Sequence, residues 1–275
     1  MAIKVFRNNF YGNHEIGVLE KIEEDVEKVP KSNYLISMLG HFSNDPYTCI
    51  VFPLYGLNIF DALNKKGTAF RLEEVRTIAS QLINATMFLH RKNLLHSDIK
   101  TANILFRHES NFAENCKLPD IILCDLGSVY LEDQFGYQTI GTLPYRAPDV
   151  VMGYRIGYRC DVWSIGCTMF ELYTKKVLFD VTSTEELLVL IHNTLENFTM
   201  SQIEGINDDS KGIEFPRPGD YNHLDNDVKD IEVVFEKIKE KDEPLYEVIK
   251  CMLIIDPRER ITLSKAALKP FFKSK

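Results

Sequence analysis

"LLHSDIKTANILF", residues 94–106, is the stretch on which the reading of the chain turns. It leaves a long run with apolar residues at helical spacing, residues 71–93, and enters a short β-forming run, residues 103–106. Between them lie Asp98, Lys100 and Asn103, an acid, a cation and an amide inside six residues. An isolated Asp and Lys two apart make an ordinary structural ion pair. Asp125, closing the apolar run "IILC" (121–124), is by itself an ordinary turn former. Their order is what carries information: the loop, then a strand, then Asp125-Leu126-Gly127, then "GTLPYRAPDVV" (141–151).

Around this stretch the composition is that of a globular protein. The chain has 275 residues, 45% of them hydrophobic and 26% charged, enough for one large domain or two lobes. A net charge of −8 argues against a nucleic-acid duplex as a general partner, and it favours basic over acidic peptides unless it serves solubility alone. Six cysteines without metal-type spacing, several inside apolar runs, read as reduced thiols of a nuclear or cytoplasmic protein. No apolar run approaches the ~20 residues of a membrane helix, and no basic-then-apolar leader opens the chain. No internal repeat or low-complexity linker is visible.

Along the chain, residues 2–7 read as a buried strand with Lys4 inside it, and residues 13–29 as an amphipathic helix ending before Pro30. "YLISMLGHF" (34–42) and "YTCIVFPLYG" (47–56) read as strands joined by a turn at 43–46. Helical patterns follow at 57–67, 71–93, 162–174, 184–197, 226–240 and 244–254, with short strands at 103–106 and 121–125. The polar stretch 201–225 reads as irregular. The expectation is an α+β, bilobal architecture: a β-rich small lobe over residues 1–56, a helical large lobe over 57–275, and a hinge near Pro53.

The ordered series resembles the eukaryotic protein kinase signature, with its catalytic loop, metal-binding Asp-Phe-Gly and Ala-Pro-Glu in sequence. "CDVWSIGCTMFEL" (160–172) and "DPRERITLSKAALKPFF" (256–272) resemble later kinase motifs, so the likeness runs over essentially the whole chain. "PYRAPD" with Arg146 resembles the CMGC group. "CIVFPLYGLNIFDAL" and "HSDIKTANILF" resemble its Cdc2-like, or LAMMER, dual-specificity kinases, with Prp4-like kinases as the near alternative. The likeness implies an ATP- and Mg2+-dependent kinase acting on Ser/Thr, and also on Tyr, in protein substrates. Basic, Arg/Ser-rich substrates, a splicing or RNA-processing role and a monomeric state belong to the same implication.

The resemblance also implies roles. Asp98 orients the substrate hydroxyl, Lys100 neutralises the γ-phosphoryl, and Asn103 and Asp125 ligate magnesium. "AIK" resembles the third kinase strand, so Lys4 holds the α- and β-phosphates and pairs with a helix glutamate, Glu15 first and Glu20 second, or else forms a surface pair. The short Lys4–Glu15 spacing implies a trimmed first helical turn. Ala2 and Leu105 enclose the adenine, Phe52 is the gatekeeper, and Pro53 and Tyr55 offer their backbone to the adenine edge. Thr142 bridges Asp98 and Lys100, Tyr137 and Thr139 are regulatory phosphosites or plain loop hydroxyls, Asp149 pairs with Arg260, and Asp161 is a structural residue of the Asp-x-Trp-Ser-x-Gly helix. Ser97 stands where many kinases have Arg, which implies activation without a phosphate at that Arg. The chain opens at the third strand, without the first two strands and Gly-rich loop of the family. The competing expectation is therefore a pseudokinase or binding module.

Overall fold

The structure is a computed structural model, and it describes residues 1–24, 34–108, 118–195, 198–206, 215–217 and 219–273. Strands β1 (Ala2–Phe6), β2 (Gly40–Asn44) and β3 (Tyr47–Phe52) form an antiparallel sheet in the order β1-β3-β2, with Lys4 opposite Ile50. Helix α1 (Asn9–Glu23), capped by the Asn8 side chain, buries Ile16, Val18, Leu19 and Ile22. It lies so close to β3 that a Cβ on Gly12 would stand 2.7 Å from Thr48 Cβ, which only glycine avoids.

Three expectations are corrected here. β1 is not a buried strand: Ile3 and Val5 are 57% and 55% exposed, because side chains alternate and only Lys4 and Phe6 turn inward. α1 begins at Asn9 rather than 13, which puts Glu15 in its second turn; the far end expected for it lies outside the described residues. The strand expected over 34–42 is divided between two partners. Tyr34 and Ile36 exchange backbone hydrogen bonds with Leu123, whereas Gly40–Asn44 pairs with β3.

The rest is dominated by helices: α2 (Ile59–Lys66), α3 (Leu72–Arg91), α4 (Pro148–Val151), α5 (Arg159–Thr174), α6 (Thr184–Thr194), α7 (Met200–Ile206), α8 (Asp225–Lys241), α9 (Glu243–Met252), α10 (Leu263–Ala266) and α11 (Pro270–Lys273). α7 and a 3-10 turn at Asn222–Leu224 occupy part of the stretch expected to be irregular. α5 is buried from Cys160 through Leu172 on every side, as an all-round apolar helix must be. Two short ladders serve the site: β4 (Leu94–Leu95) pairs with β7 (Tyr130–Leu131), and β5 (Ile104–Phe106) with β6 (Ile121–Leu123). The five described cysteines are free, and Cys116 lies outside the described residues. Among the described residues no helix is long and apolar enough to cross a membrane.

Candidate active site

The β5–β6 ladder brings the first two site residues together. Ile104 faces Leu123, and the Cys124 N–H donates to the Asn103 carbonyl at 2.9 Å, so Asn103 and Asp125 sit at adjoining strand ends. Asp125 takes a left-handed backbone (φ 61°, ψ 70°), which Asp tolerates better than most residues and which costs some local strain. Both side chains offer hard oxygen donors suited to Mg2+. Among the described residues no group of three or more His, Cys, Asp or Glu side chains could hold a metal alone, so such a cation would complete its shell with phosphate oxygens and water.

Asp98 lies in a loop held from below by Asp161. That fully buried carboxylate accepts the backbone N–H groups of His96 (3.0 Å) and Ser97 (2.9 Å) and a hydrogen bond from His90 Nε2 (2.8 Å). The Asp98 carboxylate receives four donors. Thr142 N (3.0 Å) and Thr142 Oγ1 (2.6 Å) donate to Oδ1, while Lys100 Nζ (2.8 Å) and Asn103 Nδ2 (3.1 Å) donate to Oδ2. Burial alone would push its pKa up, but the hydrogen bonds from Lys100 and Thr142 outweigh it and hold the group below its ordinary 3.8. Lys100 Nζ also donates to Thr142 Oγ1 at 2.7 Å. With Asn103 Nδ2 spent on Asp98, its amide oxygen is the atom left to ligate a cation.

Lys4 reaches this cluster from β1. Its Nζ lies 2.6 Å from Glu15 Oε2 and 2.7 Å from Asp125 Oδ1. Burial opposes the charge on Lys4, yet the two carboxylates more than offset it and raise its pKa; burial raises Glu15, 1% exposed, in turn. Glu20, the second candidate partner, is on the outer face, 3.8 Å from His41. A Cβ on Gly127 would stand 2.9 Å from Glu15 Oε2, so a side chain there would force the Glu15 carboxylate to shift.

The other expected residues fall at several places. Ala2 is exposed opposite buried Phe52, and Leu105 is half-buried beside Asn58. Pro53 and Tyr55 follow β3 half-buried, in a segment tied to β5 through Gly56 N–H to the Phe106 carbonyl (2.8 Å). Tyr137, 77% exposed, and exposed Thr139 lie on the surface of the segment that ends at Thr142. Asp149 and Arg260 form a buried pair at 2.6 Å, and the guanidinium also donates to the carbonyls of Arg159, Ile254 and Ile255.

Two residues escape sequence reasoning. Glu171 on α5, 3% exposed, accepts Thr101 Oγ1 (3.0 Å) and Tyr145 OH (2.6 Å), and burial pushes its carboxyl up. His14 Nε2 lies 2.8 Å from the Val129 carbonyl. The polar position inside the apolar α5 was the available signal for Glu171; His14 has none.

The protein kinase domain family matches residues 1–272. The dual specificity protein kinase CLK1 of Homo sapiens is 31% identical, with 99% of this chain and 60% of that protein covered. The dual specificity protein kinase lkh1 of Schizosaccharomyces pombe is 30% identical over 87% of this chain and 38% of its own length. The serine/threonine-protein kinase Doa of Drosophila melanogaster is 30% identical over 99% and 36%. The chain thus spans from 36% to 60% of the length of these relatives. A crystal structure of a kinase domain superposes with a TM-score of 0.85 at 21% identity, covering 98% of this chain and 87% of the other.

Proposed function

The chain belongs to the protein kinase family, with Cdc2-like dual-specificity kinases among its relatives, and we propose that it transfers the γ-phosphoryl group of ATP to Ser and Thr, and also Tyr, hydroxyls of protein substrates. The single observation that carries this reading is the Asp98 carboxylate, fixed by Lys100, Thr142 and Asn103 beside Asp125.

A carboxylate has about four lone-pair sites, and all of those on Asp98 are taken. A substrate hydroxyl must displace one donor. Lys100 is the mobile one, because its Nζ can move to a γ-phosphoryl oxygen while Thr142 and Asn103 stay in place. Asp98 then orients the hydroxyl in line. Its oxygen bonds to the γ-phosphorus as the bond to the β–γ bridging oxygen breaks, ADP leaves with that electron pair, and the proton passes to Asp98. Lys4, steadied by Glu15, binds the α- and β-phosphates. Asn103 and Asp125 would hold magnesium, which would supply positive charge against the phosphates. The backbone of residues 53–55 presents its polar groups to the adenine edge, between Ala2 and Leu105.

The net charge of −8 supports basic, Arg/Ser-rich substrates, a role in RNA processing and a place in nucleus or cytoplasm follow from the likeness to Cdc2-like kinases, and we take 1–56 and 57–275 as the two lobes of a monomer. The test is phosphoamino-acid analysis of an Arg/Ser-rich protein incubated with the chain, Mg2+ and γ-labelled ATP. Phosphoserine or phosphothreonine is expected. Nucleotide binding with no label on protein would instead establish the pseudokinase reading.

A further inference from the structure

The turn that carries Asp125 is gripped from two directions just beyond it. On one side, Ser97 Oγ of the catalytic loop donates to the Ser128 carbonyl at 2.6 Å. On the other, His14 Nε2 of α1 stands 2.8 Å from the Val129 carbonyl. A carbonyl can only accept, so Nε2 carries the proton and donates. Ser128 and Val129 are consecutive, and the grips come from segments more than eighty residues apart in the chain. Neither donor serves the substrate cluster around Asp98. Both flank residues that do: His14 precedes Glu15, the partner of Lys4, and Ser97 precedes Asp98.

The position of the latched segment explains why it matters. Leu126 and Val129 are buried, and Tyr130–Leu131 continues into the ladder with Leu94–Leu95. If the carbonyls were released, the turn could rotate and take Asp125 away from Lys4 and Asn103. Ser97 holds a left-handed backbone (φ 70°), a strained conformation for a non-glycine residue, at the point where its hydroxyl meets Ser128.

We propose that His14 and Ser97 form a two-sided latch on the Ser128 and Val129 carbonyls, making them positioning residues that keep Asp125, Lys4 and Glu15 assembled. The consequence for rate rests on the kinase reading above; the latch itself does not.

Hydrogen–deuterium exchange on the whole chain reads the two separately. His14→Ala and Ser97→Ala are each expected to speed exchange of residues 126–131 about five- to tenfold, the loss of one hydrogen bond, with distant helices unchanged. His14→Gln, whose side-chain amide nitrogen can reach the same carbonyl, should return those rates toward wild type. In parallel, kcat for labelling a basic protein with ATP and Mg2+ should fall by a similar factor in the Ala variants with the KM for that protein unchanged. Wild-type exchange rates at 126–131 in His14→Ala, acceleration spread over the whole chain, or equal acceleration in His14→Gln and His14→Ala would each overturn the latch. A wild-type chain that transfers no phosphoryl group would overturn the kinase reading, while the exchange comparison would still decide the latch.

Discussion

Lys4 Nζ lies 2.7 Å from Asp125 Oδ1, across 121 residues of sequence, while Glu15 holds the same ammonium at 2.6 Å. One cation thus joins the edge strand, α1 and the Asp-Leu-Gly turn. Replacing it with an apolar chain of similar length removes the charge that the proposed function assigns to the phosphates. Lys4→Met is expected to lower kcat/KM about 100-fold or more, as loss of a preorganised electrostatic group does. Steady-state kinetics on protein with a wild-type circular dichroism spectrum checks this; near-normal turnover would contradict it.

Gly127 faces Glu15 with no room for a side chain. Gly127→Ala should displace the Glu15 carboxylate from Lys4, lowering kcat/KM about tenfold through the loss of one charge-assisted hydrogen bond. Gly17, on the same helix with nothing within 4 Å of a built Cβ, is the control: Gly17→Ala should leave the kinetics unchanged.

The Asp149–Arg260 pair predicts a stability effect without a direct catalytic one. Arg260→Ala leaves a buried carboxylate and three carbonyls without their donor. Breaking a buried pair from one side costs about 3–5 kcal/mol. A melting temperature lower by roughly 6–20 °C is expected at about 2–4 °C per kcal/mol. An unchanged melting curve would refute the role.

Asp98 predicts a pH dependence with a definite sign. Its pKa is held below the ordinary 3.8, so the stability gained from its ionised form is complete above that value and is lost as the pH falls through its lower folded value. In urea unfolding from about pH 5 down to about pH 2.5, Asp98→Asn should lose less stability than wild type. Any fall in activity between pH 5 and pH 7 must come from another group, because Asp98 stays ionised throughout.

Much of the site was legible because short motifs carry local geometry. Asp98, Lys100 and Asn103 share one loop, and Asp125 ends the strand that pairs beside it. Glu15 could also have been separated from Glu20, since five residues on a helix turning about 100° per residue place them about 140° apart. Only Glu15 borders the apolar stripe of Ile16, Leu19 and Ile22. What stayed hidden depends on distant partners. The pairing of Tyr34 and Ile36 with Leu123 is set by tertiary contact, and a residue run that could serve either sheet does not say which. Burial of β1 was overestimated because five β-formers look alike whether one face or both are covered. The His14 bond was invisible because its acceptor is a backbone carbonyl, which every residue has.

The decisive measurement is single-turnover phosphoryl transfer from γ-labelled ATP with Mg2+, comparing the wild-type chain with Asp98→Asn after matching their nucleotide occupancy. The expected result is transfer by wild type and a rate lower by roughly 10²–10⁴-fold in the variant, the range for loss of a positioned general base, with nucleotide affinity retained. Equal rates in the two proteins, or no transfer by a nucleotide-bound wild type, would contradict a catalytic role for Asp98.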